Sequence, residues 1–283
     1  MSQLVNTGIV SEVPLGAGVR TAPADVAPAS PVGAAASASA SAAGAGAQSA
    51  PRGVFITFEG GEGAGKSTHI RFLAAALADA GREVVRLREP GGTTVGEQLR
   101  GVVLNPGNTT LSDACELLIY EAARAQLVAE VIKPALDRGA VVLSDRFYDS
   151  TVAYQGFGRG LDRGFIDAAN AFACQGIAPD RTILLVAPSA EEGLERATRH
   201  AGADRIERAG ARFHSRVNDA FLQIAAEQKG RIRVIESAGK KSDTARAVFS
   251  QLEDLFPWMS DFVANNRARF DHLDVERIME GQS

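Results

Sequence analysis

The sequence predicts an α/β fold, a five-stranded parallel sheet with helices on both faces. Short apolar runs of strand length alternate with longer stretches whose apolar residues recur every three to four positions. That alternation is the order that crossover connections of a parallel sheet require. A second observation is the run AVVLS at 140–144, apolar at nearly every position, as a central strand covered on both faces must be.

The first strand is VFITFE, 54–59, and it feeds directly into a glycine-rich turn. A helix follows over 66–80, with Ile70, Leu73, Ala74 and Leu77 at helical spacing and Gly81 as its stop. The second strand, 83–88, ends in REPGGT, and a short helix covers 94–104. From 112 to 136 a long helical pattern carries Leu117, Leu118, Ala122, Leu127 and Ile132 on one broad side. Pro134 lacks an N–H and crowds the preceding turn, so a kink or break is expected there. AVVLS is the third strand, with Asp145 and Arg146 at its carboxyl end. A helix over 163–174 and a strand over 182–186 follow, and the capping box Ser189/Glu192 opens another helix. A helix over 213–228, a strand over 232–235 and a helix over 242–255 complete the pattern.

This organisation divides the chain into three parts. Residues 1–51 are rich in Ala, Ser, Pro and Gly and offer no apolar face, so they are expected to be a disordered extension. Residues 52–256 form the compact domain. The segment 257–283 is a charged C-terminal extension, amphipathic enough for a small helix yet without a place assigned by the pattern. No basic cluster precedes a leucine-rich stretch and no run is long enough to span a bilayer, so a cytoplasmic protein is expected. Cys115 and Cys174 read as reduced, buried thiols rather than a bridge. A net charge of −4 argues against a general nucleic-acid binder.

The turn after the first strand carries the chemistry. In FEGGEGAGKST the pattern G-x-x-x-x-G-K-[ST] is met by Gly60, Gly65, Lys66 and Ser67, with Thr68 following. Such glycines let successive N–H groups of Gly61, Glu62, Gly63 and Ala64 converge on a phosphate, and the next helix adds its positive end. Lys66 supplies a mobile charge, and the Ser67 hydroxyl is a natural Mg²⁺ ligand. In an open parallel sheet, ligands bind beyond the carboxyl ends of the strands. Glu59 and Glu62, Arg88 and Glu89, and Asp145 and Arg146 all fall there. Asp145 suits Mg²⁺ bound through water; Arg146 offers a planar fork to a phosphate. Arg196, Arg199, Arg205, Arg208, Arg212 and Arg216 form the most basic stretch, interrupted by HAGAD as a lid over about 196–212 would be. The phosphate loop has no arginine of its own, so a lid arginine is expected to meet the transferred charge. Tyr120 and Arg124 lie four apart on one helix and address one space, either as core and cap residues or as cover and edge for a flat base.

Together these residues resemble bacterial thymidylate kinases over roughly 53–256. The phosphate loop, REPGGT, GEQLR ending at Arg100, AARAQ at 122–126, DRFYDSTVAYQG at 145–156 and DRIE at 204–207 occur in that family's order. The resemblance implies the phosphate-loop NTPase fold of nucleoside monophosphate kinases, transfer of the terminal phosphoryl group of ATP to dTMP with Mg²⁺, and a homodimer. It implies that Glu62 lies near the deoxyribose 3′-hydroxyl and the magnesium shell, and that Arg100 and Arg146 grip the dTMP phosphate. It further implies that Tyr120 stacks on thymine with Arg124 at its edge, that Ser150 and Gln155 line the base and sugar site, and that Tyr154 fills the space of a ribose 2′-hydroxyl. Arg196, Arg199 and Arg205 would come from the lid. The stacking position is commonly phenylalanine in the family, and the lid departs from its usual form at Gly202–Ala203.

Phosphoryl transfer of this kind needs no strong base, because the attacking monophosphate is already ionised near neutral pH; Glu62 and Asp145 are therefore organisers. Three rivals stand beside this reading. One is a kinase for another nucleotide or deoxynucleoside, the second an ATPase or GTPase switch, and the third a nucleotide-binding scaffold, which would not need the intact Lys66, Arg146 and lid set that this chain carries.

Overall fold

A computed structural model describes residues 52–189, 192–193 and 204–279. The N-terminal extension lies outside the described residues, and so do Arg196 and Arg199 of the expected lid. Strands β1 (Val54–Glu59), β2 (Val84–Arg88), β3 (Val141–Asp145), β4 (Arg181–Val186) and β5 (Ile232–Glu236) form one sheet in the order β2-β3-β1-β4-β5. All four pairings are parallel, with Ile56 opposite Leu143 on one side and Arg181 on the other. The helices are α1 (Lys66–Asp79), α2 (Thr94–Leu104), α3 (Asp113–Leu127), α4 (Lys133–Asp137), α5 (Tyr148–Thr151), α6 (Arg163–Cys174), α7 (Ala211–Glu227), α8 (Lys241–Ser250), α9 (Met259–Asn265) and α10 (Arg267–Met279).

The pleat sorts the strand residues between two faces. Ile56, Phe58, Val141, Leu143, Ile183 and Leu185 pack with Leu73 and Leu77 of α1 and Val248 and Phe249 of α8. Phe55 and Val142 point the other way, into Leu127 and Leu136, and Leu184 joins Leu117, Ile166 and Val217 there. Both faces are thus covered, and the carboxyl ends of the strands share one rim.

The strain expected at Pro134 is taken up one turn earlier. A π turn, Val128–Ile132, follows α3, and Pro134 then falls in the first turn of α4, where its missing N–H leaves no bond unmade. A second π segment, Val152–Gly158, continues α5 and carries Tyr154 and Gln155.

Two expectations are corrected here. The packed core does not end at Phe256. Met259 and Phe270 have no exposed surface, Leu273 is buried, and all three belong to the cluster formed by α1, α8 and one sheet face. The segment reads as highly charged because its charges line the outside. Arg269 pairs with Asp79 and lies over Phe72, and Arg246 of α8 pairs with Asp271 and lies over Phe270. Of the two free thiols, only Cys174 is buried; Cys115 is exposed on α3.

Candidate active site

A cleft of about 670 Å³ opens over the strand ends and gathers most of the singled-out residues. Glu62, Gly63, Ala64, Gly65, Lys66, Ser67 and Thr68 line it from the phosphate loop, and Arg100, Tyr120, Arg124, Asp145, Arg146, Ser150, Tyr154 and Gln155 from elsewhere. Gly60 and Gly61 form the loop's entry. Gly60 has φ +130, and a Cβ there would stand 2.1 Å from the Leu185 carbonyl oxygen, so only glycine lets the chain leave β1 against β4. Gly65, at φ +94, opens α1 without a side-chain cap, which leaves the first amides of the helix to a ligand.

Lys66 is buried and donates to the carbonyls of Gly60 (3.0 Å) and Gly61 (2.9 Å). Burial and the nearby Arg146 hold its ammonium below the usual lysine range. Ser67 Oγ donates to Asp145 Oδ2 at 2.8 Å. This hydroxyl–carboxylate pair beside the loop has the hard oxygen donors that Mg²⁺ takes together with phosphate oxygens and water, so the residues fit that ion.

Arg146 is the centre of a second charged cluster that faces the loop. It holds φ 71, a left-handed conformation that costs a non-glycine residue about 1 kcal/mol. Neighbours fix it there: its N–H donates to the Phe58 carbonyl (2.9 Å), and its own carbonyl accepts from Ser144 Oγ (2.8 Å). The turn sends the guanidinium back over the loop. Nη1 donates to Gly60 O (3.1 Å) and Ser150 Oγ (3.0 Å), and Nη2 to Glu62 Oε1 (2.7 Å) and the Tyr154 hydroxyl (3.0 Å). Tyr154 in turn donates to Glu62 Oε1 at 2.9 Å, and its ring lies under the guanidinium. Burial opposes the Glu62 charge, but Arg146 and Lys66 outweigh it and hold the carboxyl at about 2. Glu62 is thus committed to Arg146 and Tyr154 in this state, whereas Ser67 and Asp145 stand nearer to a metal's needs.

Tyr120 and Arg124 do share the cleft, on consecutive turns of α3. Tyr120 is half-buried, and its hydroxyl makes no hydrogen bond among the described residues. Arg124 is fully buried: Nε and Nη2 donate to Glu89 Oε2 (3.0 and 2.7 Å), and Nη1 to Glu121 Oε1 (2.7 Å) and Asn170 Oδ1 (2.9 Å). Arg100 lines the cleft and donates to the Pro90 carbonyl at 3.0 Å.

The DRIE motif folds as its own cap. Asp204 Oδ1 accepts from the amides of Ile206 and Glu207, both at 2.8 Å, and Glu207 Oε2 accepts from the Asp204 amide at 2.8 Å. Arg205 does not point at the phosphate loop. Its guanidinium donates to the Val103 carbonyl and to Glu116, while Asp204, Ile206 and Glu207 form the cleft wall.

Glu116 and His69 escaped the sequence reading, and Glu59 was read only as a polar group at a strand end. Glu116 is fully buried and receives Gln155 (2.7 Å), Arg159 (3.0 Å) and Arg205, joining the π segment to the DRIE turn. Its position four residues before Tyr120 on α3 was the available signal. Glu59 is buried beneath Arg146, accepting from the Phe147 amide (2.8 Å) and from Ser150 Oγ (2.6 Å). Burial and the adjacent Asp149 push its carboxyl up to about 8. His69, one helical turn past the loop, lines the cleft with a buried Nδ1 that has no partner among the described residues.

A parallel sheet in this order, a phosphate loop after its central strand and a second charged cluster facing that loop define a phosphate-loop kinase of the nucleoside monophosphate class. The sequence profile of the thymidylate kinase family matches residues 58–248, and the chain belongs to that family. It is 47% identical over 201 residues to a thymidylate kinase of Trichlorobacter lovleyi, covering 69% of this chain and 94% of that one. Against the thymidylate kinase of Geobacter sulfurreducens it is 47% identical over 211 residues, covering 72% and 99%. The crystal structure of the Ehrlichia chaffeensis thymidylate kinase superposes with a TM-score of 0.60 at 31% identity, covering 71% of this chain and all of that one.

Proposed function

We propose that this cleft transfers the terminal phosphoryl group of ATP to dTMP, the activity of the thymidylate kinase family, releasing dTDP and ADP. The observation that carries the residue assignment is Arg146, whose left-handed backbone sends a four-fold hydrogen-bonded guanidinium back over the phosphate loop. A dianionic acceptor phosphate would draw its donors from Glu62 and Gly60, with Arg100 as second cation. An acceptor oxygen then attacks the γ-phosphorus, the new P–O bond forms as the β–γ bridging P–O bond breaks, and the bridging electrons leave on ADP. Lys66 and the loop amides bind the donor phosphates, and alignment rather than proton abstraction is the chain's contribution. Mg²⁺, held by Ser67 and through water by Asp145, would balance charge between the donor phosphates.

Tyr120 covers the thymine ring. Arg124 has one Nη2 hydrogen left after its four bonds to Glu89, Glu121 and Asn170, enough for a single base carbonyl. Ser150 and Gln155 line the sugar side, and Tyr154 excludes a 2′-hydroxyl. Arg196 and Arg199 remain the lid residues assigned to the transferred charge. The enzyme acts in the cytoplasm as a homodimer through α2, α3 and α6, whose exposed Val95, Val102, Leu118, Phe165 and Phe172 offer an apolar face. Light scattering at micromolar concentration checks the assembly.

The decisive experiment is a coupled ADP-release assay across dTMP, dUMP, dCMP, dGMP and UMP, with Lys66→Ala alongside. Turnover should centre on dTMP and collapse in the variant while its unfolding temperature stays within a few degrees. Activity confined to dGMP and UMP would overturn the assigned substrate.

A further inference from the structure

We propose that the C-terminal helix pair, α9 and α10, positions the ATP-nucleoside wall of the cleft, and that Asp274 is the residue through which it acts. The inference rests on the ATP-dependent reading above. Tyr120 and Tyr154 come from elements packed on one face of the sheet. His69 of α1 and the residues Ser237, Gly239, Lys241 and Thr244 around the start of α8 come from the other face and from β5, at the sheet edge opposite β2. With the phosphate loop between these two groups, the nucleoside of the phosphate donor is left the second wall.

That wall depends on where α8 begins, and α8 begins badly on its own. Its N-cap is Lys240, which makes no side-chain cap, and its first residue is Lys241, so two cations stand at the positive end of the helix. Asp243 in the first turn is engaged by Arg246 (3.2 Å). The missing acceptor arrives from 32 residues downstream: Asp274 Oδ1 accepts from the Ser242 amide (3.1 Å) and Oδ2 from Ser242 Oγ (2.7 Å). Asp274 is held in register by the buried Phe270 and Leu273 on its own helix and by the Arg246–Asp271 pair. Independently, His69 Nδ1 is a buried polar atom without a partner among the described residues, in the same wall. The family match ends at residue 248, and α9 and α10 lie beyond it.

The test is steady-state kinetics of Asp274→Ala, Asp274→Asn and Ser242→Ala, with unfolding temperatures of the same samples. Asp274→Ala should raise the KM for ATP about threefold to tenfold, the scale of a lost helix cap, with the KM for dTMP within twofold and kcat nearly unchanged. Asp274→Asn keeps an oxygen acceptor and should recover most of the loss; Ser242→Ala should shift the KM for ATP less, in the same direction. A lower unfolding temperature with an unchanged KM for ATP would make the extension purely structural and overturn the proposal. Equal rises in both KM values would overturn it too. Should Asp274→Ala not fold, Asp274→Asn and Ser242→Ala decide. Wild-type protein that moves no phosphate from ATP to dTMP would instead remove the functional reading beneath.

Discussion

At the scale of single residues, the site is a set of charges held by hydrogen bonds that a substrate must exchange. Tyr154 illustrates it: its ring volume suits exclusion of a 2′-hydroxyl, while its hydroxyl donates to Glu62 and accepts from Arg146. The two roles separate by substitution. Tyr154→Phe should keep the preference for dTMP over its ribonucleotide while raising the KM for dTMP a few-fold, because Arg146 loses a lateral contact. Tyr154→Ala should narrow the ratio of the two kcat/KM values by about tenfold or more, since a whole ring's contacts leave the sugar site. Equal ratios in wild type and Tyr154→Ala would place selection elsewhere. Glu59 makes a second case, because it supports Arg146 from below through Ser150. Its folded-state carboxyl sits near 8 against an ordinary 4.5, so the folded protein keeps a proton that the unfolded chain releases. The stability this contributes is complete below pH 4.5 and is lost as pH rises through about 8. Glu59→Gln, which mimics the protonated acid, should flatten that slope. Unfolding temperatures of both proteins from pH 5 to 9 read it, and parallel curves would show that Glu59 titrates normally.

At the scale of elements, local chemistry was legible wherever a motif satisfied itself. The helix over 94–104 is α2 residue for residue, with Thr93 Oγ1 accepting from the Gly96 amide, and the helix over 163–174 starts on Asp162 in the same manner. Half of the expected capping box at Ser189 is present, the Glu192 amide donating to Ser189 Oγ at 3.1 Å, and most of the helix expected after it lies outside the described residues. DRIE was read as a source of lid charge, yet Asp204 and Glu207 cap each other and Arg205 reaches Glu116 across the fold. Nothing in four letters announces a partner 89 residues away. Arg205→Ala should therefore loosen the Glu116–Gln155 side of the acceptor site and raise the KM for dTMP several-fold, with kcat less affected. A large loss of kcat with unchanged dTMP binding would return Arg205 to the transition state. The π turns were equally invisible, because α and π segments share the same apolar periodicity over five to seven residues.

At the scale of the whole molecule, the hydrophobic core extends to the C-terminal helices. Phe72, Phe249, Phe262 and Phe270 form a ring cluster with centroids 4.8–6.3 Å apart, drawn from α1, α8, α9 and α10. Phe270→Ala should cost about 3–5 kcal/mol, the range for a fully buried phenylalanine, and a chain ending at Phe256 should unfold many degrees lower. Denaturant titration of both measures it. Unchanged stability would mean that α9 and α10 merely lie on the surface.

The sequence by itself determined the strand–helix alternation, the phosphate loop and the family, because those rest on periodicity, glycine geometry and motifs that are contiguous in the chain. Tertiary structure alone decided that Glu59 supports Arg146 through Ser150, that Glu116 holds Gln155, that Arg205 turns away from the loop, and that Asp274 caps α8. Each of these joins a charged group to a partner far away in sequence, and an isolated Glu, Arg or Asp looks the same on a solvated face as in a buried network. Only the packing that removes water from around it, and supplies the donor or acceptor it then requires, distinguishes the two.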